Sequence, residues 1–214
     1  MASDDGLDLP CLRRVLLGVC DAMDAAVEDF THADQAIGDG DHGLAIGRGF
    51  RSATAALSDR VLVDVGDLFG GMGDAMLSSM GGASGAIYGT LFRRGGRALH
   101  GRLVFDSEAL AIFLEDGLAG VRERGRAAVG DKTIVDALQP AAVAARASVD
   151  RPLAEALVAV AEAAGGGLQR TKELRATIGK ARALGDRSIG YVDPGALSFT
   201  LMVRKFSQLV AEAK

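Results

Sequence analysis

The stretch Asp34-Gln35-Ala36-Ile37-Gly38-Asp39-Gly40-Asp41-His42-Gly43 sets three carboxylates within eight positions, with glycines at 38, 40 and 43 where side chains would block a bend. Acids this close repel unless they share a cation. Oxygen-only ligands suit hard cations, and Mg2+ commonly completes its shell with water and substrate phosphates, so a metal-bound nucleotide fits better than an all-protein cage. Two such ions fit a nucleoside polyphosphate. Gly38-x-Gly40-x-x-Gly43 also spells a dinucleotide fingerprint, but that motif needs a preceding strand and an uncharged path for the pyrophosphate. Here the preceding residues have helical spacing and two aspartates stand in the path. A calcium loop starting at Asp39 would need Asp or Asn at Gly43 and Glu at Phe50, and it fails at both. The plainest competitor is a solvated Gly-Asp turn between two helices.

Working outward, Leu12, Val15, Leu16, Val19, Met23, Val27 and Phe30 follow a three-and-four spacing, which predicts one long amphipathic helix over 9–30. After the acidic turn, Leu44, Ile46, Phe50, Ala53 and Leu57 predict a second helix with His42 and Gly43 near its start. A helix N-terminus offers unpaired N–H groups and partial positive charge, so it can hold phosphate without a lysine. His42 is read either as a nucleotide contact or as a hydrogen-bonded structural group.

A third helix is predicted over 63–80, followed by the glycine-rich loop Met80-Gly81-Gly82-Ala83-Ser84-Gly85-Ala86, with Ser84 as a candidate N-cap. The loop serves either close backbone approach to a ligand or tight helix packing. Asp106 or Ser107 caps a further helix ending in Arg122, Arg124 and Arg126, which complement its dipole. Gly125-x-x-x-x-Gly130-Asp131-Lys132-Thr133 nearly spells a P-loop, but Asp131 intrudes and no strand precedes it. Thr133-x-x-Asp136 reads as a capping box for a helix through Ile134, Val135, Leu138 and Val143. Pro152 fits a first helical turn, Gly165-Gly166-Gly167 is expected to interrupt or bend the helix it starts, and 179–196 reads as loop. Asp193-Pro194 announces the last helix through cap and first-turn proline. About eight helices result, with four glycine-bearing connections able to meet at one end.

With 214 residues and 22.0 kDa the chain can bury one sizeable core, and nothing requires a second domain. Two tyrosines, eight phenylalanines and no tryptophan, against alanine-rich helical spacing, favour an all-α fold over a sheet. A net charge of -4 and a pI near 5.4 argue against nucleic-acid binding. No window reaches the roughly 18 uninterrupted apolar residues of a membrane span, so a cytoplasmic location is expected. Cys11 and Cys20 match neither zinc nor redox spacing and read as packing residues.

Together, IGDGDHG, GGASG, GDKTIVDALQPA and LGDRSIGYVDPGA, in this order across nearly the whole chain, resemble the nucleotide-binding subunit of dihydroxyacetone kinase, DhaL. The resemblance implies an eight-helix antiparallel up-and-down barrel, a single domain over 1–214, with ADP or ATP at one end. It implies that Asp34, Asp39 and Asp41 hold two Mg2+ ions. It implies that His42, Gly43, Leu44 and Ala45 line the nucleotide, that Ala83 and Ser84 approach its phosphates, and that Gly125 and Ile134 frame the base. Asp193, Pro194 and Gly195 match the closing loop. Two positions depart from the family: Ala45 where asparagine is frequent, and Lys180 where arginine is common, which keeps charge without the bidentate fork. The implied partners are a DhaK-like subunit that holds the hydroxy-ketone and a DhaM-like phosphocarrier of the phosphotransferase system, with a homodimer left open. Competing readings are a kinase subunit for another ketose such as erythrulose, a metal-dependent phosphohydrolase, and a non-catalytic ADP-binding regulator.

Overall fold

The computed structural model describes residues 6–59 and 63–213; positions 1–5, 60–62 and 214 of the expected 1–214 domain lie outside the described residues. Strand β1 (Gly6–Asp8) leads into α1 (Leu9–Ala25), α2 (Val27–Ile37), α3 (His42–Asp59), α4 (Val65–Ser79) and α5 (Gly82–Ala98). Strand β2 (Val104–Asp106) precedes α6 (Ser107–Gly125), α7 (Val135–Arg146) and α8 (Leu153–Arg170). A 3-10 segment, Lys180–Ser188, then precedes α9 (Pro194–Glu212).

The expected all-α architecture is the one observed. Helices α1, α3, α4, α5, α6, α7, α8 and α9 each pack against the next, and α9 returns to α1, so eight helices close a ring. Successive members run antiparallel, most joined by short connections, with α2 between α1 and α3 and the 3-10 segment between α8 and α9 as the exceptions. Apolar stripes face the ring's interior: Leu12, Val15, Leu16, Val19 and Met23 of α1, Leu68, Phe69, Met72 and Met76 of α4, and Phe199, Val203 and Val210 of α9 are all buried. Such stripes are what helical period produces when apolar residues recur every three or four positions. Cys11 and Cys20 are buried free thiols within this core, as their spacing suggested.

Four expectations are corrected. The predicted helix over 9–30 is two helices, because the chain breaks at Ala26 (φ -94°, ψ 11°) and α2 leaves the ring to pack on α3, α9 and the 3-10 segment. Ser84 is not a cap: α5 starts at Gly82 behind Gly81, whose φ of 70° favours glycine, and the Ser84 hydroxyl is engaged elsewhere. The three glycines at 165–167 do not interrupt α8: Gly167 sits where α7 backbone comes close, a Cβ there lying 2.2 Å from the Asp136 carbonyl oxygen, and Gly165 lies against the Arg204 side chain. Within 179–196 the chain forms the 3-10 segment, kinked at Gly185, rather than plain loop.

Leu44 and Val143, placed on apolar faces by spacing alone, are 57% and 64% exposed. In the Thr133-x-x-Asp136 box the Asp136 carboxylate does accept the Thr133 N–H (2.7 Å), but the Thr133 hydroxyl accepts from Val135 and not from Asp136. The β1–β2 ribbon, in which Leu7 faces Phe105 in antiparallel register, has no counterpart in the sequence reading.

Because α1 and α6 both begin at this ribbon, the ring has two distinct ends. α2, α4, α6 and α8 finish at the other one, where α3, α5, α7 and α9 begin. The site lies there.

Candidate nucleotide and metal site

A cleft of about 300 Å³ opens at this end, and every connection between consecutive ring helices there contributes to it except its outermost tips. The acidic turn forms one wall. Gly38 ends α2, with its N–H on the Asp34 carbonyl oxygen (2.5 Å), and Gly40 takes φ 80°, which a side chain would resist. Asp34 Oδ2 then accepts the backbone N–H of His42 (3.2 Å), so one residue closes α2 through its carbonyl and starts α3 through its carboxylate.

Asp34, Asp39 and Asp41 each bring a carboxylate oxygen within 4.8 Å of the other two. An all-oxygen set of three acids within one ion's reach fits a hard divalent cation. Lys180 donates to Asp39 Oδ2 (2.5 Å) and Asp41 Oδ2 (2.9 Å), joining the 3-10 segment to the acidic turn. That ammonium holds the Asp39 carboxyl below its usual range, and the two carboxylates raise the lysine in return. All three side chains are more than half exposed, so solvent screens these ion pairs and they add little stability.

His42 is 8% exposed, with Nδ1 3.0 Å from Ser84 Oγ and Nε2 2.9 Å from Ser198 Oγ. Burial lowers its pKa against the pull of Asp34 and Asp41 and so disfavours the imidazolium form. Arg48 reaches from α3 to the Met80 carbonyl (2.8 Å) and secures the α4–α5 turn carrying Ala83 and Ser84.

Across the cleft, Asp193 caps α9 by accepting from Ala196 (2.7 Å), and its own N–H is held by the Thr171 hydroxyl (3.0 Å). Burial pushes the Asp193 carboxyl up to about 7, against the Ala196 bond, which lowers it. Lys132, 2% exposed and in left-handed backbone (φ 62°), donates to the carbonyls of Thr171 and Tyr191, both at 2.5 Å. One ammonium thus ties the α6–α7 connection to both ends of the α8–α9 connection. The sequence around this lysine mimics a phosphate loop; in place, its ammonium serves backbone carbonyls. Asp136 completes the corner by accepting from Gly130 (2.6 Å) as well as Thr133.

Of the residues singled out from sequence, Asp34, Asp41, His42, Ala45, Ala83, Ser84, Ile134, Lys180, Asp193, Pro194 and Gly195 line the cleft. Asp39 joins it through Lys180. Gly43 lies outside the lining, pressed on α2 where a Cβ would meet the Val27 carbonyl at 2.3 Å; Leu44 faces solvent; Gly125 stands behind Ile87, itself a lining residue. Ile37, Ala45, Ile87 and Ile134 make an apolar wall, while the acids, Lys180 and the starts of α3, α5 and α9 make a polar one. Such a cleft has a place for a flat apolar group, an anion and a cation together.

The fold agrees with what comparison with known proteins finds. The ADP-binding DhaL subunit of a PEP-dependent dihydroxyacetone kinase from Listeria innocua is 40% identical over 175 residues, covering 82% of this chain and 83% of that protein. The corresponding Escherichia coli subunit is 37% identical over 197 residues, covering 90% and 92%. The crystal structure of the dihydroxyacetone kinase from C. freundii with AMP-PNP and Mg2+ superposes with a TM-score of 0.73 at 26% identity, over 95% of this chain and 34% of that longer one. With the DAK2 domain matched over residues 36–208, from the acidic turn through most of α9, the chain belongs to the DAK2 domain family.

Proposed function

We propose that this chain is the ADP-binding subunit of a dihydroxyacetone-type kinase, presenting a nucleotide-borne phosphoryl group to a short hydroxy-ketone held by a separate DhaK-like subunit. The observation that carries this is the convergence of Asp34, Asp39 and Asp41 beside the starts of α3, α5 and α9 in one cleft. Asp34, Asp39 and Asp41 would hold two Mg2+ ions, whose charge offsets that of the phosphates. His42 and Ser84 face the phosphate region, Ile37, Ala45, Ile87 and Ile134 enclose the base, and Asp193-Pro194-Gly195 closes over it.

Among the described residues no side chain in the cleft is set up as a covalent nucleophile, and phosphoryl transfer needs none from this subunit. It is driven by positioning and by fixed groups that oppose the charge on the transferring phosphoryl. Acid–base chemistry on the ketone falls to the partner subunit. The two bacterial relatives named above are subunits of PEP-dependent kinases, which supports a resident ADP recharged by a DhaM-like phosphocarrier over free exchange with ATP.

Native mass spectrometry of the purified chain, with and without Mg2+, tests the reading. The expected result is ADP and Mg2+ surviving buffer exchange together, and their loss in Asp39→Ala and Asp41→Ala, with nucleotide affinity reduced by two orders of magnitude or more, roughly, when the charge-neutralising ion goes. Unchanged nucleotide affinity in either variant sinks the metal assignment. A chain that is purified empty and takes up ATP only when Mg2+ is added replaces the resident coenzyme with an exchanging one.

A further inference from the structure

Behind the cleft a hydrogen-bonded chain runs from Ser84 through His42 and Ser198 to Tyr88, with the Ser198–Tyr88 oxygens 2.7 Å apart. Tyr88 of α5 and Ser198 of α9 are 1% and 0% exposed. Counting protons gives this chain a direction. The Tyr88 hydroxyl has Ser198 as its partner among the described residues, so it donates; accepting instead would leave a buried O–H unpaired. Ser198 then has one proton and two acceptors, His42 Nε2 at 2.9 Å and the Gly195 carbonyl at 3.2 Å. The second lies beyond the usual O–H···O range of about 2.5–3.0 Å. Ser198 therefore donates to Nε2; a ring nitrogen that accepts carries no proton, so the ring N–H is on Nδ1, from which it is donated to Ser84 Oγ. The proton of Ser84 itself is left for the cleft. In the opposite tautomer Ser84 would spend its proton on His42 and turn only lone pairs toward an anion. The Pro194 carbonyl, which also faces the ring, is the competing acceptor.

We infer that Tyr88 and Ser198 are positioning residues: they hold His42 in the Nδ1–H tautomer, so that the Ser84 hydroxyl donates to a phosphate oxygen of the bound nucleotide. The inference rests on the nucleotide reading above for the identity of the anion, while the direction of the hydrogen bonds stands independently of it.

Side-chain 15N NMR of the ligand-free chain, with His32→Gln and His100→Gln used to assign the other two imidazoles, reads the tautomer directly. The expected His42 signals are a pyrrole-type Nδ1 and a pyridine-type Nε2; the reverse assignment overturns the inference. Ser198→Ala is expected to mix the tautomers and weaken Mg2+–ADP binding about tenfold, the worth of one charge-assisted hydrogen bond, with adenosine binding unchanged. Tyr88→Phe, which keeps the ring volume, shifts both readouts in the same direction by less, and Ser198→Thr restores them because the hydroxyl returns. Undiminished ADP affinity in a folded Ser198→Ala protein overturns the inference. A wild-type chain with the Nδ1–H ring that binds no ADP overturns the nucleotide reading and the role of Ser84 with it. One that binds ADP with an Nε2–H ring overturns the positioning role alone.

Discussion

At the end where β1 and β2 pair, Phe69 lies 4.4 Å from Phe113 and 5.3 Å from Phe105, centroid to centroid, and Phe105 lies 5.7 Å from Phe206. At the opposite end the same helices surround His42, Ser198, Lys132 and Asp193, with no comparable aromatic plug among the described residues. The strand end is closed by apolar burial, which is strong and indifferent to precise chemistry. The cleft end is held by directed bonds, each strong only while its partner is in place. One end supplies stability so that the other can keep polar groups facing a ligand.

The contrast breaks most visibly at Phe69. Phe69→Ala should cost about 3–5 kcal/mol in denaturant unfolding, since it deletes the hub of the aromatic cluster, yet leave the ADP affinity of the folded protein unchanged. A parallel fall in affinity would mean the two ends are coupled. Gly167→Ala is the converse wedge. Its Cβ would press on the Asp136 carbonyl oxygen and on Ala137 Cα (2.8 Å), both backbone, so a stability loss of about 1–3 kcal/mol is expected together with weaker ADP binding, because α7 begins at that contact.

The smallest effect is a pH dependence at Asp193. Its carboxyl titrates near 7 when folded, against 3.8 ordinarily, so between these values the unfolded chain has lost a proton that the folded chain keeps. This residue's contribution to stability therefore falls as pH rises from about 4 to about 7 and is level outside that window. Asn preserves the helix cap without titrating. The melting temperature of Asp193→Asn, measured relative to wild type, should rise across that window; a difference independent of pH would place the buried charge elsewhere, with Lys132 and Asp136 the neighbouring charges.

Much of this was legible in order along the chain. The three aspartates lie within eight positions, so their meeting needed no tertiary knowledge, and Asp193-Pro194 announced α9 through the rules of helix starts. Local signals failed where packing overrules them. Met23, Val27 and Phe30 continue a helical stripe across Ala26 with no glycine or proline to mark the break, and the glycines of α8 look like a hinge until Gly167 is seen against Asp136. Leu44 satisfies a spacing rule yet faces solvent, because the buried stripe of α3 runs through Ile46, Phe50, Ala53 and Leu57. Tyr88 and Ser198 stand 110 positions apart, and no pattern in either neighbourhood reveals that one hydroxyl meets the other.

The break at Ala26 also imposes a rule of parity. A closed ring whose members alternate in direction needs an even number of them, and a ninth helix inserted between α1 and α3 would force two neighbours to run the same way. Turning α2 out of the ring keeps the count at eight and leaves its last turn overhanging the mouth, where Asp34 stands. Helices can therefore be gained or lost by this ring only in pairs, or singly by expulsion of the kind that put the first of the acids in place.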